Sequence, residues 1–302
     1  MSATLIPIAP PDALDVPELA AYRGLPDRDL ATLARPGAEP SDEDDGAAGH
    51  FIAEGDLVVR ALAASSFAVR SVLVAEPRVD PLRDVLDALP DGTPAYVASS
   101  AFMSTIVGFP IHRGVLALGV RAPRDADRLL EDLGDGLVVA LVGLTNHDNV
   151  GGIFRNAAAF GARAVLLDDT SCDPLYRKAI RVSTGAALRV PFARAGSGSD
   201  LITRLERHGF EVVALTPSGR EGLAALPPVR RRALVLGTEG PGLPPAVIAR
   251  ARGVRIDMVA GFDSLNVAVT SGIALYEASR REFVGPAGEA LLTAAGSSRA
   301  GP

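Results

Sequence analysis

Leu137-Val-Val-Ala-Leu-Val-Gly143 is an unbroken apolar run ending on glycine, and Asn146-His-Asp-Asn-Val-Gly-Gly-Ile-Phe-Arg155 comes almost at once after it. The run has the length of a strand, and its lack of alternation predicts burial on both faces. Shorter apolar runs at Ala164–Leu167, Val212–Leu215, Ala233–Leu236 and Arg255–Met258 predict further strands. Helical stretches at Ile153–Phe160, Pro174–Val182, Leu201–His208 and Leu265–Ser279 lie between or after them. Strands separated by helices specify an α/β fold with a Rossmann-like parallel sheet covered on both sides. Ligands of such sheets sit beyond the carboxyl ends of the strands, and the unusual polar clusters of the chain fall there.

Upstream the texture differs. Residues 1–49 read as an acidic leader with short helices near Val16–Tyr22 and Asp27–Leu33, and Ser41-Asp-Glu-Asp-Asp-Gly46 reads as a solvated loop. From Phe51 a small α/β domain is expected over 50–120, with helices at Asp56–Ala63 and Pro81–Leu89 and strands at Ser71–Ala75, Ala95–Ala98 and Val115–Val120. Residues 121–136 read as a linker containing a helix at Asp125–Leu133, 137–284 as the second domain, and 285–302 as a frayed tail.

Composition narrows the function classes. Of 302 residues, 48% are hydrophobic and 22% charged, which is ample core material. The single Cys excludes a disulfide framework and a four-cysteine metal site, and no metal is expected. No apolar run reaches the length of a membrane helix, and no secretory signal is evident, so a soluble cytoplasmic protein is expected. The first 50 residues carry a net charge of −7 and the remaining residues +1. Global charge therefore gives no support to a nucleic-acid partner, although a local basic face would suffice. Nearly every cation is Arg, a side chain suited to bidentate phosphate contacts, and Lys178 is the only Lys.

Three clusters carry the chemistry. In the first, glycines at a strand-to-helix turn allow close backbone approach, and the helix N-terminus offers N–H groups to an anion. Asn146 and Asn149 can serve there as caps or as ligands, and Arg155 as a surface cation or an oxyanion partner. The second, Leu236-Gly-Thr-Glu-Gly-Pro-Gly-Leu243, is a tight loop that lacks the Gly-Lys-Ser/Thr of a nucleotide-triphosphate loop. Its Glu239 can organise the loop or touch a substrate. The third runs from Ile256 to Val269, where Asp263 or Ser264 can cap a helix that places Asn266 in its first turn. Val267, Ser271, Ala274 and Ala278 give that helix a small-residue face for close packing.

In this order and spacing the clusters resemble the SpoU/TrmH branch of the SPOUT family, which methylates RNA ribose 2′-hydroxyls with S-adenosylmethionine (AdoMet). The resemblance spans Leu137 to Glu277. Asn149, Gly151 and Arg155 match the family's Asn-x-Gly-x-x-x-Arg motif. Gly237, Glu239, Gly240 and Gly242 match Gly-Asn-Glu-Gly-x-Gly, and Ser264, Leu265, Asn266 and Val267 match Ser-Leu-Asn-Val. Phe51-Ile-Ala-Glu-Gly55 and the α/β unit it opens resemble the family's substrate-binding domain, which is related to RNA-binding ribosomal proteins. The chain departs from the pattern at His147 and Asp257, where the family usually has Pro, and at Thr238, where it has Asn.

The resemblance implies a deep trefoil knot, a homodimer with sites built from both subunits, and structured RNA as partner, with ribosomal RNA ahead of transfer RNA. It places AdoMet against Leu236, Gly237, Thr238, Gly240, Gly242, Ile256, Met258, Leu265 and Asn266. It makes Arg155, Asn149, Asn266, Ser264 and Glu239 the catalytic set. Asn146, Arg155, Arg177, Lys178 and Arg181 are candidates to contact RNA. A guanidinium is not normally deprotonated in proteins, so Arg155 is assigned to the developing alkoxide and an RNA phosphate to the proton. The rival readings are a non-catalytic RNA-binding protein with a relic pocket, and a Rossmann-like enzyme acting on a small molecule.

Overall fold

The computed structural model describes residues 2–10, 16–24, 27–32, 49–108, 110–259, 261 and 264–283. The chain divides into two compact units, Met1–Pro123 with Asp173–Arg189, and Arg124–Cys172 with Val190–Pro302. Among the described residues no helix is long and apolar enough to cross a membrane.

The first unit runs β1 (Thr4–Pro7), α1 (Asp27–Thr32), β2 (His50–Glu54), α2 (Asp56–Ala63), β3 (Val69–Ala75), α3 (Arg83–Ala88), β4 (Pro94–Ala98), α4 (Ser100–Val107) and β5 (Val115–Val120). Its five strands lie in the order β1-β4-β3-β5-β2, with β1, β4 and β3 parallel and β5 antiparallel to both of its neighbours. Ile52, Leu73 and Leu118 from the sheet pack on Leu19, Tyr22, Leu30 and Met103. Residues read as leader thus supply an edge strand and part of this core. A four-residue strand ending on Pro has too little periodicity to stand out in sequence.

The second unit begins with α5 (Ala126–Asp132), β6 (Gly136–Val142), α6 (His147–Ala159) and β7 (Ala164–Leu167). Helix α7 (Arg177–Val182), which comes next, belongs to the first unit, where it packs against β2. The second unit resumes with β8 (Phe192–Arg194), α8 (Gly198–Arg207), β9 (Glu211–Leu215), β10 (Glu221–Gly222), β11 (Arg231–Gly237), α9 (Pro245–Ile248), β12 (Arg252–Arg255) and α10 (Val267–Phe283). Its seven strands are all parallel, in the order β10-β12-β9-β11-β6-β7-β8.

Every residue of Leu137–Val142 is buried, as a central strand covered on both faces requires. Val138, Ala140 and Val142 meet Leu130, Leu201, Leu205 and Val247 from α5, α8 and α9. On the other side α10 packs against α6, β11 and β6. Strand β12 ends at Arg255, so the Arg255–Met258 segment read as a strand is mostly the turn that leaves the sheet. Helix α6 starts six residues earlier than expected, because the Gly151-Gly152 pair masks a helix that packing stabilises.

Candidate active site

Strands β6 and β11 are neighbours, and their register sets Val142 opposite Gly237. The first and second polar clusters therefore leave the sheet side by side. Beyond β6 lie β7 and β8, and beyond β11 lie strands β9, β12 and β10. This is the switch point at which open parallel sheets bind ligands.

In the first cluster Asn146 is the exposed N-cap of α6, its Oδ1 accepting the Asp148 N–H at 2.8 Å. Asn149, one turn in, is 6% exposed and points inward. Arg155 lies six residues further, which turns it about 120° away from Asn149 around the helix. It is exposed, and among the described residues it has no hydrogen bond or ion pair.

The second cluster is a hairpin-like loop closed by an isolated bridge between Thr238 and Gly242. Gly240 and Gly242 have φ of +86° and +71°, which L side chains rarely adopt. A Cβ on Gly237 would stand 2.7 Å from the backbone of Gly242 and Leu243, so only glycine permits the fold-back. The turn carries Glu239.

The third cluster meets the other two. Asn266 Nδ2 donates to Asn149 Oδ1 at 2.9 Å and to Glu239 Oε1 at 2.9 Å, while Asn149 Nδ2 donates to the same Glu239 oxygen at 3.0 Å. One residue from each cluster thus forms a closed triangle. Asn266 also caps α10, its Oδ1 accepting the N–H groups of Ala268 and Val269 at 2.9 and 3.2 Å. This cap corrects the sequence expectation: the helix starts at Val267 rather than Leu265. Of the two residues named there as caps, Ser264 lies before the helix and Asp263 outside the described residues.

The helix crossing beneath the triangle explains why α10 can come so close. A Cβ on Gly152 would lie 2.8 Å from Ala268 Cβ. Asn156 Nδ2 donates to the Ala268 carbonyl at 2.7 Å and to Ser271 Oγ at 2.9 Å. Val267, Ser271, Ala274 and Ala278, the small-residue face read from sequence, are all buried. Asn156 was not singled out in sequence. An Asn at mid-helix competes poorly for helical structure, and that was the available signal.

Beside the triangle is a cleft of about 770 Å³ counted to its open mouth. Leu236, Gly237, Thr238, Glu239, Gly240, Gly242, Ile256, Met258, Ser264 and Leu265 line it, with Val267 and Thr270 from α10. Of the residues expected around a cofactor, Asn266 is the one that stands at the triangle instead. Leu215, Thr216 and Pro217 also line the cleft and were missed. Their signal was a Thr-Pro turn directly after a parallel strand.

Two further placements matter. Asp257 is exposed at the rim, where Arg255 Nε donates to its Oδ1 at 2.8 Å; Arg255 Nη1 also donates to the carbonyls of Gly219 and Arg220 at 3.1 Å. Arg177, Lys178 and Arg181 lie on α7 of the first unit, whereas the triangle belongs to the second. Arg177 is ion-paired to Asp27 at 3.1 Å, whereas Lys178 and Arg181 are exposed.

Known proteins share the sequence pattern and the fold. A profile of the SpoU rRNA methylase family matches residues 136–276. An uncharacterized tRNA/rRNA methyltransferase of Mycobacterium tuberculosis is 41% identical over 243 residues, covering 78% of this chain and 83% of that protein. The 23S rRNA (guanosine-2′-O-)-methyltransferase of Acinetobacter baylyi is 31% identical over 67% of this chain and 85% of its own length. The crystal structure of an AdoMet-bound rRNA methyltransferase from Sinorhizobium meliloti shares the fold at a TM-score of 0.70 and 24% identity, covering 94% of this chain and 99% of the other. With three motifs joined in one constellation and relatives matched over most of their length, the chain belongs to the SpoU rRNA methylase family, in the SpoU/TrmH branch of the SPOUT RNA methyltransferases.

Proposed function

We propose that the protein transfers a methyl group from AdoMet to a ribose 2′-hydroxyl in structured RNA, with ribosomal RNA the first choice of substrate. The observation that carries this reading is the Asn149–Glu239–Asn266 triangle at the edge of the cleft. It is supported by the A. baylyi relative, a 23S rRNA guanosine-2′-O-methyltransferase.

The cleft suits AdoMet. Leu236, Leu243, Ile256, Met258 and Leu265 supply apolar walls for an adenine ring, and the glycine loop leaves its backbone accessible to polar ends of a ligand. When bound, AdoMet supplies an electrophilic methyl on a cationic sulfur. The protein's part is positioning and charge. Glu239, held by two amide groups, fixes the loop that forms one wall and places a carboxylate near the cation. Arg155, whose guanidinium has no hydrogen bond or ion pair among the described residues, is assigned to the ribose oxygen as negative charge develops there. An RNA phosphate accepts the hydroxyl proton. Ser264, on the cleft wall, is assigned to the junction of RNA and cofactor.

Three wider features belong to the same reading. The return of α10 onto α6 past the 237–243 loop is the path a trefoil knot would take. The stripe Leu265, Val269, Ile273 and Tyr276, all exposed, is the surface through which two copies would pair, giving a homodimer. The first unit is assigned to RNA binding, with Lys178 and Arg181 on its α7 as contacts, and Asn146 at the start of α6 is assigned to RNA as well. Arg177, already paired with Asp27, is less able to contribute.

The test is label transfer from methyl-labelled AdoMet to purified ribosomal and transfer RNA. Label in ribosomal RNA supports the reading. RNA binding without AdoMet binding would favour the alternative of a relic pocket, the reading that Thr238 and Asp257 invite.

A further inference from the structure

A second cleft lies beside the first in the same unit. Gly143, Asp168 and Thr170 at the carboxyl ends of β6 and β7 form one wall, Ser199 in the first turn of α8 a second, and Pro241 and Pro245 a third. Thr238, Gly242 and Leu243 line both clefts, so the glycine loop is the partition between them.

The polar groups of this second cleft differ in what they have left to offer. Asp168 is 4% exposed, and its oxygens accept the N–H groups of Gly143 and Ser171 and the hydroxyls of Thr170 and Ser171. It braces the turn after β6 and has no acceptor capacity to spare. The Ser199 hydroxyl, by contrast, has no partner among the described residues. The Thr170 hydroxyl gives its proton to Asp168 and keeps a lone pair. The remaining lining is largely apolar, from Val142, Val247 and proline rings. Such a site suits a flat, uncharged group with donors and acceptors at its edge, and it offers no cation to a phosphate.

We infer that this cleft takes the base of the nucleotide whose ribose is methylated. The inference rests on the reading of the first cleft as the AdoMet site. Reacting atoms must come within about 3–3.5 Å, so the target ribose must sit at the partition, near Thr238 and Glu239. A base attached to that ribose, splayed out of its stack as single-stranded RNA allows, then falls into the adjoining cavity. The hydroxyls read its edge and the prolines cover its face.

The experiment places a bulky side chain at either lip, Ser199→Trp or Pro245→Trp, in the full-length protein. Neither residue lines the AdoMet cleft. Melting temperature, AdoMet affinity by calorimetry and methyl transfer to RNA are measured on both variants. The expected result for a folded variant is unchanged AdoMet affinity with RNA methylation lowered roughly 10²-fold, the scale of a misplaced reacting group. Normal methylation in a folded variant would overturn the inference. So would a loss of AdoMet affinity in step with turnover, since the cavity would then belong to the cofactor. The unsubstituted protein is assayed first: if it methylates no RNA, the underlying reading falls, a failure distinct from that of the second cleft.

Discussion

Asn266 donates its side-chain amide to Asn149 at 2.9 Å across 117 residues of sequence, and the same amide reaches Glu239. A single side chain therefore caps one helix, fixes the first turn of another and holds the tip of the glycine loop. The consequences can be measured separately.

Asn266→Ala removes both the cap and the triangle. Loss of the cap should cost about 1 kcal/mol of stability, and loss of the triangle should weaken AdoMet binding roughly tenfold. Asn266→Asp restores the cap but sets a second carboxylate against Glu239. Its melting temperature should recover more than its AdoMet affinity, and equal recovery of both would show that the triangle is only structural.

Among the described residues Arg155 has no partner to lose, so Arg155→Ala should leave the melting temperature unchanged. AdoMet affinity should also persist, while kcat for RNA methylation falls by roughly 10²–10³-fold, the scale of removing an oxyanion donor. Undiminished kcat would remove Arg155 from the chemistry.

Arg255 ties the rim of the first cleft, the proposed AdoMet site, to the turn at Gly219 and Arg220 while pairing with Asp257. The family usually has Pro at the position of Asp257, and here hydrogen bonds restrain the loop that a ring would have stiffened. Arg255→Ala should change stability by about 0.5 kcal/mol or less, because the pair is partly exposed. AdoMet affinity should fall several-fold. A calorimetric titration that matches the unsubstituted protein would refute the strap.

Tyr22 is 1% exposed, and its hydroxyl shares a 2.8 Å hydrogen bond with Ser71. Burial raises the phenol above its ordinary pKa of 10.0, against the opposing pull of the Ser71 bond. A raised folded pKa contributes stability that is complete below the unfolded value and is lost as pH rises past it. Tyr22→Phe should cost about 1–2 kcal/mol near neutrality, since the buried Ser71 hydroxyl loses this partner. The gap should narrow above pH 10 in urea titrations, because only the parent protein then bears the cost of keeping a phenol protonated.

Much of this site was legible in sequence. Leu137–Val142 has the length and unbroken apolarity of a strand buried on both faces, and the glycines at 237, 240 and 242 mark a tight loop. The parts that stayed hidden are those whose signal is weak or displaced along the chain. Strand β1 is too short and too near a proline to show a period, and it is recruited by β4 rather than by propensity. Helix α6 is hidden by Gly151 and Gly152, and at Gly152 the close approach of α10 leaves no room for a side chain. Thr216 and Pro217 reach the cleft only because β9 lies next to β11 in the sheet, an adjacency that chain order conceals. The triangle needed three turns placed in space, and spacing alone left Asn149 readable as a cap, Glu239 as a loop organiser and Asn266 as a first-turn residue capped by a neighbour.

The most direct measurement is nucleoside mass spectrometry of ribosomal RNA after incubation with the protein and AdoMet. The account predicts a new 2′-O-methyl nucleotide that is lost with Arg155→Ala. Methylation confined to a base, or no new modified nucleotide in any RNA, would contradict it.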